Sequence, residues 1–74
     1  MDSLKEYFEF EEEAREIRRK MANWKFIEKQ PEPIKTALKI YIETGDLKMA
    51  CKFANMKLWD FVKLLGKFNI PIVL

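Results

Sequence analysis

The sequence predicts an all-α domain of four helices with a short extended tail, and three observations carry that expectation. Apolar residues make up 49% of the 74 positions, too many for a disordered chain. Only two Gly and three Pro are present, too few for an all-β design with many tight turns. Pro31 and Pro33, then Thr44-Gly45-Asp46, then Asn55 divide the apolar periodicity into four segments. A chain this short supports one core, so residues 1–74 are taken as a single domain.

The first helix is expected from roughly Leu4 to Phe26, within a long amphipathic segment over residues 1–28. Ser3-Leu4-Lys5-Glu6 has the form of a capping box, with Ser3 as N-cap and Glu6 reaching back. Glu11-Glu12-Glu13 precede Arg15, Arg18, Arg19 and Lys20, a polarity that suits the helix dipole and offers pairs such as Glu11–Arg15. Tyr7, Phe10, Ala14, Ile17, Met21 and Trp24 recur at spacings 3, 4, 3, 4, 3, an a/d seam over nearly three heptads. Such a stripe either packs on the rest of the monomer or joins two chains. The helix is nearly as long as the remaining body, which favours a homodimer through this seam.

Pro31 and Pro33 end that helix, and Pro33 suits the first turn of a second one. Ile34, Ala37, Leu38, Tyr41 and Ile42 form its core-facing stripe. Gly45 fits the left-handed position after its end, and Asp46 can cap the third helix, Leu47 to about Ala54. Asn55 tolerates the positive φ of a tight turn, and a fourth helix follows to about Phe68, with Phe61, Leu64, Leu65 and Phe68 on one face. Residues 33–68 are therefore expected to form a helix-turn-helix unit, with small Cys51 at the helix crossing and Met56 plugging the angle after the turn. The tail, 69–74, is β-prone, and Pro71 limits it to an edge or a strap over the groove between the second and fourth helices.

Several function classes are disfavoured. The chain contains no His, which removes the commonest general base and metal ligand. Cys51 is alone, so neither an internal disulfide nor a zinc cluster is expected, and it serves as a small core residue. Glu11 to Glu13 could attract a cation, but a solvated helical face is the simpler reading. There is no run of eighteen apolar residues and no apolar stretch behind Met1, so a cytoplasmic protein without membrane span or leader is expected. No catalytic constellation is visible; the expectation is a non-enzymatic protein without cofactor or metal.

From Ile34 to Val73 the chain resembles small prokaryotic antitoxin-like proteins with a central helix-turn-helix, from type II toxin–antitoxin pairs. The resemblance rests on Leu38 to Gly45, on Ala50-Cys51-Lys52-Phe53-Ala54-Asn55-Met56, on Trp59-Asp60-Phe61 and on Ile70-Pro71-Ile72-Val73. It implies a DNA-binding domain that regulates transcription of its own operon, with an attached segment that neutralises a toxin. Asn55 stands where the family has Gly, and Lys57 where it has a Ser cap. The acidic toxin-contacting tail and the N-terminal strand common in the family are absent from this sequence, so the DNA-binding role carries over better than the toxin-binding one.

Charge distribution fits that role. Residues 1–32 carry seven basic and nine acidic side chains; residues 33–74 carry seven Lys against Glu43, Asp46 and Asp60. The fourth helix would enter the major groove with Lys57, Asp60, Lys63 and Lys67 on its polar face. Lys48 and Lys52, and also Lys35 and Lys39, could reach flanking phosphates. Lysine contacts phosphate well but reads bases less well than Arg, Asn or Gln, so salt-sensitive binding with modest sequence discrimination is expected. The alternative is a protein–protein interaction module that docks a partner through Trp59, Leu58 and the tail, because Trp is enriched at interface hot spots.

Overall fold

The computed structural model describes residues 2–72, with side chains from Leu4 onward. Ser3, expected as an N-cap, stands inside the first helix, which already includes Asp2; its side chain, and Val73 and Leu74 of the tail, lie outside the described residues. Five helices follow in order: α1 (Asp2–Met21), α2 (Trp24–Ile27), α3 (Glu32–Thr44), α4 (Leu47–Ala54) and α5 (Leu58–Lys67). No strand occurs among the described residues.

The expected single first helix is two helices. It breaks at Asn23, whose φ of −84° and ψ of 81° are those of an inverse γ-turn, with the Trp24 N–H donating to the Ala22 carbonyl. The cause is tertiary: the Asn23 N–H donates to the Phe68 carbonyl at 2.9 Å rather than continuing the α1 ladder. Trp24 is thereby removed from the seam. It is 36% exposed, and its indole N–H donates to the Arg19 carbonyl at 2.8 Å, where it satisfies one of the open carbonyls at the end of α1.

The remaining elements start and stop on local chemistry. Pro33 stands in the first turn of α3, where its missing N–H costs nothing. Gly45, at φ +70°, donates its N–H to the Tyr41 carbonyl and closes the helix in a left-handed cap. The Asp46 carboxylate accepts the Met49 N–H at 2.9 Å and starts α4. At the end of α4, Asn55 (φ 56°) donates to the Lys52 carbonyl and the Met56 N–H to that of Cys51. The same paired motif closes α5, where Asn69 (φ 58°) donates to Gly66 and Ile70 to Leu65. In each case the residue after the Asn tucks back towards the residue five before it, which is the Schellman arrangement.

The second of these motifs corrects the expected strap. Ile70 is buried, at 3% exposed, and together with the Phe68–Asn23 bond it fastens the tail at the α1–α2 junction. The core is built by Ala37, Leu38, Tyr41 and Ile42 of α3, Ala50 and Cys51 of α4, and Phe61 and Leu65 of α5. Tyr41 and Phe61 meet edge to face with centroids 6.5 Å apart. Burial raises the Tyr41 hydroxyl above its ordinary pKa, opposed by the nearby Arg18 cation.

Ala14 and Arg18 of α1, and Ala22 just after it, are buried at spacing four, whereas Tyr7, Phe10, Ile17 and Met21 of the apolar seam are exposed. Ala14 was expected in the seam and is instead buried within its own chain. Arg18 is 2% exposed: its Nε donates to the Ile42 carbonyl at 2.9 Å and its guanidinium lies 5.5 Å from the Tyr41 ring centroid, while Nη2 has no hydrogen-bond partner. Arg15, expected to pair with Glu11, donates instead to the Glu43 carbonyl at 2.8 Å. Arg19 grips the Glu43 carboxylate with two nitrogens, and that hydrogen bond holds the carboxyl below the usual glutamate range. Three arginines of α1 thus cap the negative C-terminal end of α3.

Gly45 sits under this clamp. A Cβ there would meet two Arg18 nitrogens at 3.2 Å, in addition to the strain of a positive φ. Gly45→Ala is expected to destabilise the fold by about 1–2 kcal/mol, read as a lower urea midpoint with unchanged slope.

Candidate nucleic-acid interface

The candidate surface is built on α4, the turn at Asn55 and the start of α5. On α4 the core takes Ala50 and Cys51, which leaves Lys48 and Lys52 outside. The tight left-handed turn then sets Lys57 at the N-cap of α5. These three lysines line one open groove of about 920 Å³ together with Leu47, Cys51, Met56 and Leu58. Burial pushes the Cys51 thiol above its ordinary pKa, consistent with a packing residue rather than a reactive one.

Lys57 makes no side-chain cap, so the first N–H groups of α5 are left to other acceptors. Farther along α5, Phe61 and Leu65 turn inward. Trp59, Lys63 and Lys67 then follow at spacing four on the outward face, with Asp60 beside them. All six predicted polar residues, Lys48, Lys52, Lys57, Asp60, Lys63 and Lys67, are exposed. No ion pair engages any of them among the described residues. The structure gathers the first three around the groove and sets the last three on a separate face of α5.

Two lysines are corrected. Lys35 pairs with Glu32 at 3.0 Å and lies 3.9 Å from Glu28, and Lys39 pairs with Glu28 at 2.8 Å. The Glu32 hydrogen bond raises the Lys35 ammonium, and the Lys39 hydrogen bond lowers the Glu28 carboxyl. Both cations are already paired, with Glu28 at the end of α2 and Glu32 at the start of α3, so they are weaker candidates for phosphate than the lysines of α4 and α5, unpaired among the described residues. Among the described residues no group of metal-ligating side chains converges, at Glu11 to Glu13 or elsewhere.

Trp59 is 74% exposed and Leu58 55%, so the aromatic on the outward face of α5 is not part of the core. Met49 and Phe53, at 51% and 53%, form a second exposed apolar pair one turn apart on α4. Sequence reasoning passed over that pair. Its signal was there: with Ala50, Cys51 and Ala54 inward, the 3.6-residue repeat puts positions 49 and 53 outside. No helix among the described residues is long and apolar enough to cross a membrane. No family model, no curated protein and no solved structure matches this chain.

Proposed function

We propose that this protein binds duplex DNA as a transcription regulator, with α4, the Asn55 turn and α5 acting as a helix-turn-helix, and that it acts by binding without a catalytic step. The observation that carries this reading is the set of lysines on α4 and α5. Lys48, Lys52, Lys57, Lys63 and Lys67 are exposed, free of carboxylate partners among the described residues and opposed only by Asp60. In this reading the N-terminal half of α5 enters the major groove, its open N–H groups and Lys57 contact one phosphate, and Lys48 and Lys52 hold the neighbouring backbone. Lys63 lies beside Asp60, whose carboxylate can accept from a cytosine amino group. The resemblance to antitoxin-like regulators is consistent with this role, and extends it to a component of a toxin–antitoxin pair.

The test is a salt series of duplex-DNA binding. Five phosphate contacts per subunit predict a slope of roughly −4 to −5 in log K against log salt. Absence of binding at low salt would overturn the reading.

A second reading is favoured by Trp59. A tryptophan this exposed beside Leu58 is an anchor for a protein partner, and such an interface would respond little to salt. Ile70 takes no part in that version, because it is buried, whereas Ile72 of the tail is 40% exposed and open to such a partner. Trp59→Ala separates the two: it should abolish capture of a protein partner while leaving the DNA salt slope intact.

A further inference from the structure

We propose that a second copy of this chain packs on the outer flank of α1, with the two α1 helices antiparallel about a two-fold axis near Ala14. The flank is open because the monomer uses a different face. Its own body takes Ala14, Arg18 and Ala22, while Tyr7, Phe10, Ile17 and Met21 stay 58%, 41%, 42% and 56% exposed. Residues Leu4 to Phe10 are exposed on every side of the helix, so the first turns of α1 project beyond the body. The longest dimension of the molecule, 42 Å against 23 and 17 Å, reflects this projection.

Two independent patterns select the occupant and its direction. The first is size. The aromatics Tyr7 and Phe10 stand at the N-terminal end of the stripe, and the aliphatics Ile17 and Met21 at the C-terminal end. Antiparallel pairing about Ala14 sets Tyr7 against Met21 and Phe10 against Ile17 of the other copy, so on either side of the axis each layer joins one ring to one aliphatic side chain. Parallel pairing would stack ring on ring at one end and leave Met on Met at the other.

The second is charge. From Lys5 to Glu13 the helix carries five Glu against one Lys; from Arg15 to Lys20 it carries three Arg and one Lys against Glu16. Arg15, Arg18 and Arg19 are turned to the body, where they cap α3, so the cation left on this flank is Lys20, and antiparallel pairing lays it beside Glu6 of the other copy, twice by symmetry. Both residues are exposed on the flank next to the apolar stripe. The helix dipoles are also opposed in this arrangement. Glu13, next to the axis, comes near its own mate in open solvent, a repulsion that salt screens. A two-fold contact of this kind closes on itself and stops at the dimer.

The proposal does not rest on DNA binding, and its test needs no DNA. Light scattering on the full chain should give twice the mass of one chain. Ile17→Asp should give a single chain with unchanged helicity by circular dichroism, since Ile17 lies outside the core. Lys20→Glu should weaken the dimer at least tenfold, and adding Glu6→Lys to it should restore the wild-type dimer, a rescue that a parallel pair would not show. A monomeric wild type, a dimer that survives Ile17→Asp, or a double reversal without rescue would each overturn the proposal. A dimer that ignores DNA overturns the reading of the α4–α5 face alone; a monomer that binds DNA overturns this one alone.

Discussion

Phe61→Ala is expected to cost about 3–5 kcal/mol and to shift thermal unfolding down by more than about 12 °C. Phe61 is wholly buried where α5 meets α3, with its ring edge to face with Tyr41, and Ala37, Leu38 and Ile42 completing the same core. Truncation removes both the transferred apolar area and the ring packing, and leaves a cavity that helices joined by tight turns at Gly45 and Asn55 cannot close. A domain of this length holds about 4–11 kcal/mol in total, so the loss approaches the whole. Thermal melts by circular dichroism measure it. The matched control is Trp59→Ala, two residues away and 74% exposed, which should stay within about 0.5 kcal/mol of the wild type. Equal melts for the two variants would mean that α5 is not seated as described.

The second large effect is on binding. Lys57→Glu with Lys63→Glu changes the face by four charge units without touching the core, since both residues are exposed and make no ion pair among the described residues. At about 1 kcal/mol per unit charge close to a phosphate in water, DNA affinity should fall by about three orders of magnitude. The salt slope should flatten by about two, one for each lysine that no longer neutralises a phosphate. Lys5→Glu, on the projecting end of α1, should leave affinity nearly unchanged. A uniform loss across unrelated duplexes would identify these lysines as phosphate ligands; loss on one duplex alone would identify them as base readers. An unchanged affinity would remove α5 from the DNA reading.

The bounds of α3 and α4, the inward stripe from Ala37 to Ile42 and the lysines of α5 were all legible along the chain. Each depends on interactions within about five residues. A positive φ suits Gly45 and Asn55 by their own sterics, Asp46 reaches an N–H three residues ahead, and Pro33 needs only a first turn. The same logic would have caught Asn69, whose Schellman cap repeats that of Asn55 and makes the first two residues of the β-prone tail the cap of a helix.

What the chain alone could not decide was which of two stripes on α1 faces the body. Tyr7, Phe10, Ile17 and Met21 are the more apolar, yet Ala14, Arg18 and Ala22 are buried. The reason lies on α3: its C-terminal carbonyls at Ile42 and Glu43 need donors that only a neighbouring element can bring, and Arg18 and Arg15 bring them. Hydrophobicity scales do not register that demand. The break at Asn23 is likewise set by a carbonyl 45 positions away, at Phe68, and the capture of Lys35 and Lys39 by Glu28 depends on the bend between α2 and α3. Where the helices after Pro31 start, stop and turn could thus be read from residue order, because those choices are made by neighbours along the chain. Which faces are spent on the core and which remain for partners emerged only on folding, because that choice belongs to backbone groups and charges far apart in sequence.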